Sequence, residues 1–440
     1  MTEIQTSSEL ANPEIYSRGE HDISRRNIDP DAVKILYRLN RAGFKAYLVG
    51  GGVRDLLLGK KPKDFDIATD ALPRDIKSLF RNSRIIGRRY KLVHIFFAGG
   101  KNIEVSTFRD IGVPADPGEV LDTSAPIVTR ENTYGTEATD AARRDLSING
   151  LFYDISTFSI IDYIGGVRDL KQKIIRVIGD PDIRFIEDPV RMLRVARHAA
   201  RNDFTIEERT LQSVIKNFHL IARASPVRVF DELKKDFAYG HSLKTFRLLA
   251  ELRLLEPLIP ELMQKDGVLL SDVSEFSRCL GRLDNLVRSG EEIGSAAVLS
   301  LFALFIQGLT SHRRDIYSWF KDRHEIHDFS KSTFKYLAVP KKERERIAAA
   351  LSLWHALGAP PFGREQLSYA KRSPGRHDLA LLVRLLSEDE DSEALVRAIE
   401  NSPEEKPRGR HGGARSHRPR SAHPMAHRHQ RSGGGERGGQ

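Results

Sequence analysis

The sequence predicts an α/β head with a mixed sheet, followed by an all-α region and a disordered basic C-terminal tail. Three observations predict it. Apolar runs of strand length, punctuated by glycines, dominate the first part of the chain, whereas beyond Pro189 nearly every segment carries apolar residues at helical spacing. From Asn401 to Gln440 there is no aromatic or branched apolar residue, so too little surface can be buried to offset the entropy of ordering. At 440 residues the chain exceeds what one hydrophobic core usually serves, which implies two or three packed domains.

The elements follow in order. Residues 1–26 carry little pattern and read as a flexible leader. Ala46 to Val49 reads as a strand, Gly50 to Gly52 turn it, and Val53 to Leu58 begins a helix. Asp64 to Thr69 is a second strand, and a helix opens at Pro73. The runs Lys91 to Ala98 and Lys101 to Phe108 flank Gly99-Gly100, a hairpin signal. Gly112 to Thr136 is polar and reads as a mobile loop. A helix runs from Thr139 towards Phe152, and a β segment follows at Ser159 to Tyr163.

Composition bounds the function. Net charge is +10, and nine Lys/Arg against three Asp/Glu in the last 40 residues account for six of it. An acidic partner such as nucleic acid is implied. The single cysteine, Cys279, excludes a disulfide framework and a multi-cysteine metal site, and reads as a small buried hydrophobe. No secretory signal is visible, and the longest apolar run, Ala296 to Leu309, is too short to span a bilayer. A cytoplasmic location without a membrane span is expected.

The chemistry concentrates in LVGGGVRDLLLGKKPKDFDIAT, residues 48 to 69. On a strand, positions i and i+2 share a face, so Asp64 and Asp66 project together with Phe65 behind them. Paired carboxylates suit two Mg²⁺ ions, which can bind an attacking hydroxyl and a triphosphate and stabilise both oxygens of an in-line displacement. Gly51 and Gly52 let backbone approach phosphates, and Arg54 is placed to contact them. Alone, a glycine triplet is a turn, Asp-x-Asp is a solvated strand edge, and Arg54 with Asp55 is a surface ion pair. Together, strand, glycine turn, helix and carboxylate strand fit phosphoryl transfer.

Two further segments join this one: ARRDLSINGLFYD (142 to 154) and IEDPVRMLRVARHAAR (186 to 201). With all three in order over residues 44 to 201, the chain resembles the class II tRNA nucleotidyltransferase and bacterial poly(A) polymerase family, a branch of the polymerase β superfamily. The resemblance implies a nucleotidyltransferase head at 27–165, with Asp64 and Asp66 as catalytic metal ligands. It places Asp145 and Arg144 in the nucleotide site, where Asp145 reads as a third catalytic carboxylate or a ribose ligand, the catalytic role being the one expected. An all-α neck (166–225) would recognise the base and bind RNA, a helical body (226–395) would grasp RNA, and the basic tail would span 396–440. Implied with it are ATP as substrate, RNA 3′ ends of mRNA or tRNA as acceptor, and RNA-decay partners reached through the tail.

Base choice has a physical reading. After Pro189, Val190, Leu193 and Ala196 form one helical stripe while Arg191, Arg194 and His198 lie on another face. Asp188 and Arg191 are near neighbours, and a carboxylate with a guanidinium matches the Watson–Crick edge of adenine or cytosine. Asp188 before a proline also fits a helix cap. Asp145 fits a local helix ion pair as well as a third carboxylate, and Glu104, on the strand IEVSTFR, competes for that place. RIIGRRYKLVHIFF (84 to 97) resembles the poly(A) polymerase pattern I-x-G-R-R-F-x-L-x-H-V, with Tyr90 for Phe; Leu146 also stands where Phe is common. Adenylate addition is thus expected ahead of CCA addition. The alternatives are a tRNA nucleotidyltransferase and an RNA-binding protein with a retired catalytic site. A glycosyltransferase would leave the second and third segments unexplained, and the His327-Asp328 and His377-Asp378 pairs are a weak basis for a phosphohydrolase.

Overall fold

Strict alternation builds the head, and the computed structural model describes residues 12–87, 91–110, 134–263, 274–310, 323–332, 334 and 336–402. Its strands are β1 (Glu14–Tyr16), β2 (Ala46–Val49), β3 (Asp66–Thr69), β4 (Ser83–Ile86), β5 (Leu92–Phe96), β6 (Asn102–Thr107), β7 (Leu151–Asp154) and β8 (Ser159–Asp162). They form one sheet in the order β1-β8-β7-β2-β3-β6-β5-β4. Strands β3 and β6 pair in parallel and the other neighbours antiparallel, so the sheet is mixed, as expected.

One face of the sheet presents Ile67, Val93, Ile95, Val105 and Tyr153 to the main core, together with Ile35, Leu36 and Leu39 of α1 (Pro30–Arg41). Among the described residues the other face is covered in part, by a small cluster of Val49, Ala68, Phe108, Ala141 and Phe152. Period-two alternation puts Asp66 and Glu104 on this second face, because Ile67 and Val105 between their neighbours are buried on the first. Short helices α2 (Gly51–Leu57), α3 (Pro73–Leu79), α4 (Glu137–Ala142) and α5 (Gly166–Gln172) link the strands.

A two-stranded parallel ladder, β9 (Ile174–Ile175) with β10 (Thr205–Ile206), leads into helices α6 (Pro181–Glu187), α7 (Val190–Asn202), α8 (Glu208–Asn217) and α9 (Pro226–Phe237). Among the described residues eight more helices follow: α10 (Ser242–Glu251), α11 (Glu275–Arg288), α12 (Ser295–Thr310), α13 (Arg323–Ser332), α14 (Lys341–Leu357), α15 (Arg364–Arg372), α16 (Arg376–Leu386) and α17 (Glu390–Glu400). Helix α12 is the apolar run read as a core helix, with every residue from Ala296 to Ile306 buried. Phe302 on it meets Phe246 at 5.0 Å and Phe237 at 5.8 Å between ring centroids, which locks α9, α10 and α12 together. Cys279 is fully buried in α11, and burial pushes its thiol up to about 12.

Four expectations need correction. The leader is not featureless: β1 extends the sheet against β8, and Ile23 is 1% exposed within the core. The second strand starts at Asp66, leaving Asp64 in the turn before it. The helix from Thr139 stops at Ala142, because Leu146 bridges Val177 and the Ser147 amide donates to the Arg176 carbonyl, which draws the chain into extended form. Phe152 therefore lies on β7, where alternation sends Phe152 and Tyr153 to opposite faces. Finally, order continues through α17 past the tail boundary drawn at 396, because Val396 and Ile399 are buried. The Gly112 loop lies mostly, and Arg88 to Tyr90 and residues 403–440 lie wholly, outside the described residues. Among the described residues no helix is long and apolar enough to cross a membrane.

Candidate active site

The site starts where β2 ends. Gly50 turns the chain with φ at 71°, a conformation that strains any side chain, and a Cβ there would stand 3.0 Å from Nη1 of Arg144. Gly51 opens α2. Gly52 lets α2 rest against the backbone of Asp64, whose carbonyl would be 3.4 Å from an added Cβ. The triplet thus brings one arginine and one of the paired aspartates to a single turn.

Register supplies the rest. Parallel pairing of Ile67 with Val105 sets Asp66 beside Glu104, and antiparallel pairing sets Glu104 opposite His94, with 3.8 Å between Nε2 and Oε2. Asp66 is open at the surface of the cleft, yet the protein mass around it desolvates the carboxyl. This burial pushes Asp66 up to about 6; Glu104 and Asp64 add to the rise, and Arg144 opposes it. Three acids and one guanidinium therefore share this patch of the open face. Among the described residues no three acid or histidine groups converge as a ready-made metal cage.

Asp145 stands elsewhere. Its Oδ2 accepts from Nε of Arg194 at 2.5 Å and its Oδ1 from Asn149 at 3.3 Å. Burial works against this carboxylate, but Arg194 and then His198 outweigh it and hold the group well below the usual range. The local helix ion pair considered for Asp145 is absent, because the residue follows α4; the arginine it meets comes from α7. Arg144 donates to Asp140 at 2.8 Å and lies over the ring of Phe152 at 5.4 Å.

Arg54 is a brace. It is 3% exposed, grips Asp55 through Nε and Nη2 at 2.9 and 2.7 Å, and donates from Nη1 to Asn149 at 2.6 Å. Asp55 also accepts from Arg201 at 2.9 Å, so the pair read as a surface contact is a buried link between α2, the 147–149 turn and α7. His198 faces Arg54 at 3.4 Å, and burial, then the Arg54 and Arg197 charges, push its imidazole well below the usual histidine range.

At the start of α7, Asp188 makes the cap contact foreseen for it, accepting from the Val190 amide at 3.3 Å. The same carboxylate accepts from Nη1 and Nη2 of Arg228 on α9 at 3.0 and 2.7 Å. Arg191 pairs with Glu187 at 3.4 Å instead of with Asp188. Farther along α9, Glu232 takes Arg197 and lies 3.7 Å from Arg194, and Asp236 lies 3.7 Å from Arg197. Arg228, Glu232 and Asp236 recur every four residues, a helical face of one cation followed by two acids. That spacing was the signal available in the sequence for these three residues; Asn149 and His198 stood inside quoted segments without a role.

A sheet carrying a glycine turn and paired carboxylates on its open face, joined to a helical region, defines a nucleotidyltransferase-type head on a helical body. Residues 46–176 match the family model for the poly A polymerase head domain, and residues 203–265 match that for the probable RNA and SrmB- binding site of polymerase A. Through these two regions the chain is similar to the class II nucleotidyltransferases, the family that joins poly(A) polymerases and CCA-adding enzymes. Poly(A) polymerase I of Escherichia coli O6:H1 is 43% identical over 266 residues, which cover 59% of this chain and 56% of that protein. The CCA-adding enzyme of Lactobacillus helveticus is 37% identical over 238 residues, 54% of this chain and 57% of its own. The chain thus spans little more than half the length of these relatives. The Bacillus stearothermophilus CCA-adding enzyme in complex with CTP shares the fold, with a TM-score of 0.62 at 24% identity over 85% of this chain and 83% of its own.

Proposed function

We propose that the protein is a template-independent polynucleotide adenylyltransferase that transfers AMP from ATP to RNA 3′ ends and releases pyrophosphate. The observation that carries this reading is the pairing of Asp66 with Glu104 on the open sheet face, next to Asp64 and Arg144 at the glycine turn. Preference for poly(A) over CCA rests on the higher identity to poly(A) polymerase I and on the segment at 84 to 97.

Asp64, Asp66 and Glu104 would hold two Mg²⁺ ions, which supply charge neutralisation of the triphosphate and activation of the 3′ hydroxyl. The donor set fits: all ligands are hard oxygens, and a carboxyl raised to about 6 by burial and then by Glu104 and Asp64 gains from added positive charge. Gly50 and Gly52 keep the turn open for phosphates, and Arg144 stands over it to bind them. The RNA hydroxyl attacks the α-phosphorus as the bond to pyrophosphate breaks. Arg191 and Asp188 read the base edge, with Arg228 fixing the Asp188 carboxylate. Arg194 and Asp145 support the nucleotide from the α7 side, and Arg54 holds α2 and α7 in register. The head (27–165), neck (166–225) and helical body that follows divide catalysis, base choice and RNA grip. RNA decay is the process such tails serve, in the cytoplasm.

The test offers purified protein single nucleotides with an unstructured RNA and with tRNA lacking its CCA end. Long A tracts on the unstructured RNA support the reading. Addition that stops after C, C and A on the tRNA replaces it with a CCA-adding enzyme.

A further inference from the structure

The N-terminal arm builds a second concavity on the opposite face of the head. Tyr153 neighbours Phe152 on β7 but projects into the main core, on the side of the sheet away from Asp66 and Glu104. Above it lies a cavity of about 360 Å³ lined by Arg18, Ser24, Arg25, Arg26, Tyr153 and Phe158. Tyr153 is fully buried, and its hydroxyl has no hydrogen-bond partner among the described residues. Native structures rarely leave a buried hydroxyl so, and such a group calls for a ligand or a water.

The arginines are only partly engaged. Arg18 donates once, to the His21 carbonyl at 2.9 Å, and Arg25 once, to the Tyr37 hydroxyl at 2.8 Å, which leaves most of their N–H groups free. The Arg26 side chain has no partner among the described residues. The Arg25 guanidinium also lies 5.1 Å over the Phe158 ring. Of the acids in these loops, Glu20 is taken by Ser17 and Asp154 by Ser156 and Thr157, while Asp22 does not line the cavity. Three guanidiniums, an orphan hydroxyl and an aromatic face are the chemistry that recognises a phosphate ester.

We infer that this cavity binds a nucleotide phosphate, held by Arg18, Arg25, Arg26 and the Tyr153 hydroxyl, with its organic group against Phe158. The nucleotide comes either free or as one unit of an RNA strand. The site is separate from the carboxylates, so its occupancy does not depend on catalysis.

Hydrogen exchange of residues 18–26 and 153–158 tests it in the full chain, with AMP and with an oligo(A) whose 3′ end carries a phosphate. Protection in the wild type is expected to persist in Asp64→Ala, which separates this site from the catalytic one. Tyr153→Phe and Arg26→Ala are each expected to weaken the ligand about tenfold, the worth of one charge-assisted hydrogen bond. Protection by AMP and RNA alike identifies a free-nucleotide site, and protection by RNA alone a strand site. Absence of protection with both ligands, or wild-type affinity in both variants, overturns the inference.

Discussion

Asp64, Asp66 and Glu104 bring three negative charges to one patch of an open sheet face, an arrangement that folding alone does not favour and that a dication relieves. Asp64→Ala is expected to reduce nucleotide addition below detection while leaving thermal unfolding unchanged, because this exposed carboxylate supports no core contact. Full activity in that variant sinks the assignment. Glu104→Gln is expected to lower kcat in the same way. Asp145 behaves differently, since its carboxylate is committed to Arg194 and Asn149. Arg54 differs again: the side chains of Arg54 and Asp55 are 4% and 6% exposed, so Arg54→Ala leaves a buried acid to Arg201 alone. A loss of about 3 kcal/mol in unfolding free energy is expected, in the range for breaking a buried pair. A variant with wild-type stability and only a raised KM for ATP restores the direct triphosphate contact that the sequence suggested.

Helix α9 is the element through which the helical region reaches Asp188, the carboxylate proposed to read the base. Its Arg228 reaches Asp188 from an exposed position, so removing it costs little stability. Arg228→Ala is expected to free the Asp188 carboxylate and blur ATP against GTP discrimination severalfold, with an unchanged melting temperature. Unaltered discrimination in single-nucleotide assays counts against this role. Two turns on, burial pushes Asp236 up to about 7; Glu232 adds to the rise, while Arg197 and Lys235 oppose it. The folded state therefore holds this proton more tightly than the unfolded chain, whose carboxyl titrates near 3.8. The resulting stability is complete below pH 3.8 and is lost as pH rises to about 7. Asp236→Asn keeps the neutral form, so melting curves of the variant should exceed the wild type at pH 8 and converge with it at pH 4. Parallel curves across that range refute the assignment.

At the scale of the whole molecule, charge and fold separate. Six of the ten net positive charges fall in the last 40 residues, so deleting residues 402–440 removes most of the excess without touching α17. Nine Lys/Arg on single-stranded RNA can steepen log affinity against log salt by at most about 6. The deletion should flatten that slope and shorten products, while turnover at saturating RNA persists. An unchanged slope shows that these charges serve another partner.

The mixed head, the helical region after Pro189, the glycine turn and the paired aspartates are legible along the chain. Each of these is local: alternation, helical spacing and a motif are set by neighbours along the chain. Tertiary structure decided what depends on pairing between distant segments. Register across β3 and β6 brought Glu104 beside Asp66, 38 positions away in the chain. The bridge from Leu146 to Val177 ended a helix that periodicity continued to Phe152. Burial set Arg54 between Asp55 and Asn149, and Arg228 came to Asp188 from another helix. The N-terminal arm lacked any periodic signal because its order comes from the edge of β8, a partner more than a hundred residues away that no local pattern announces.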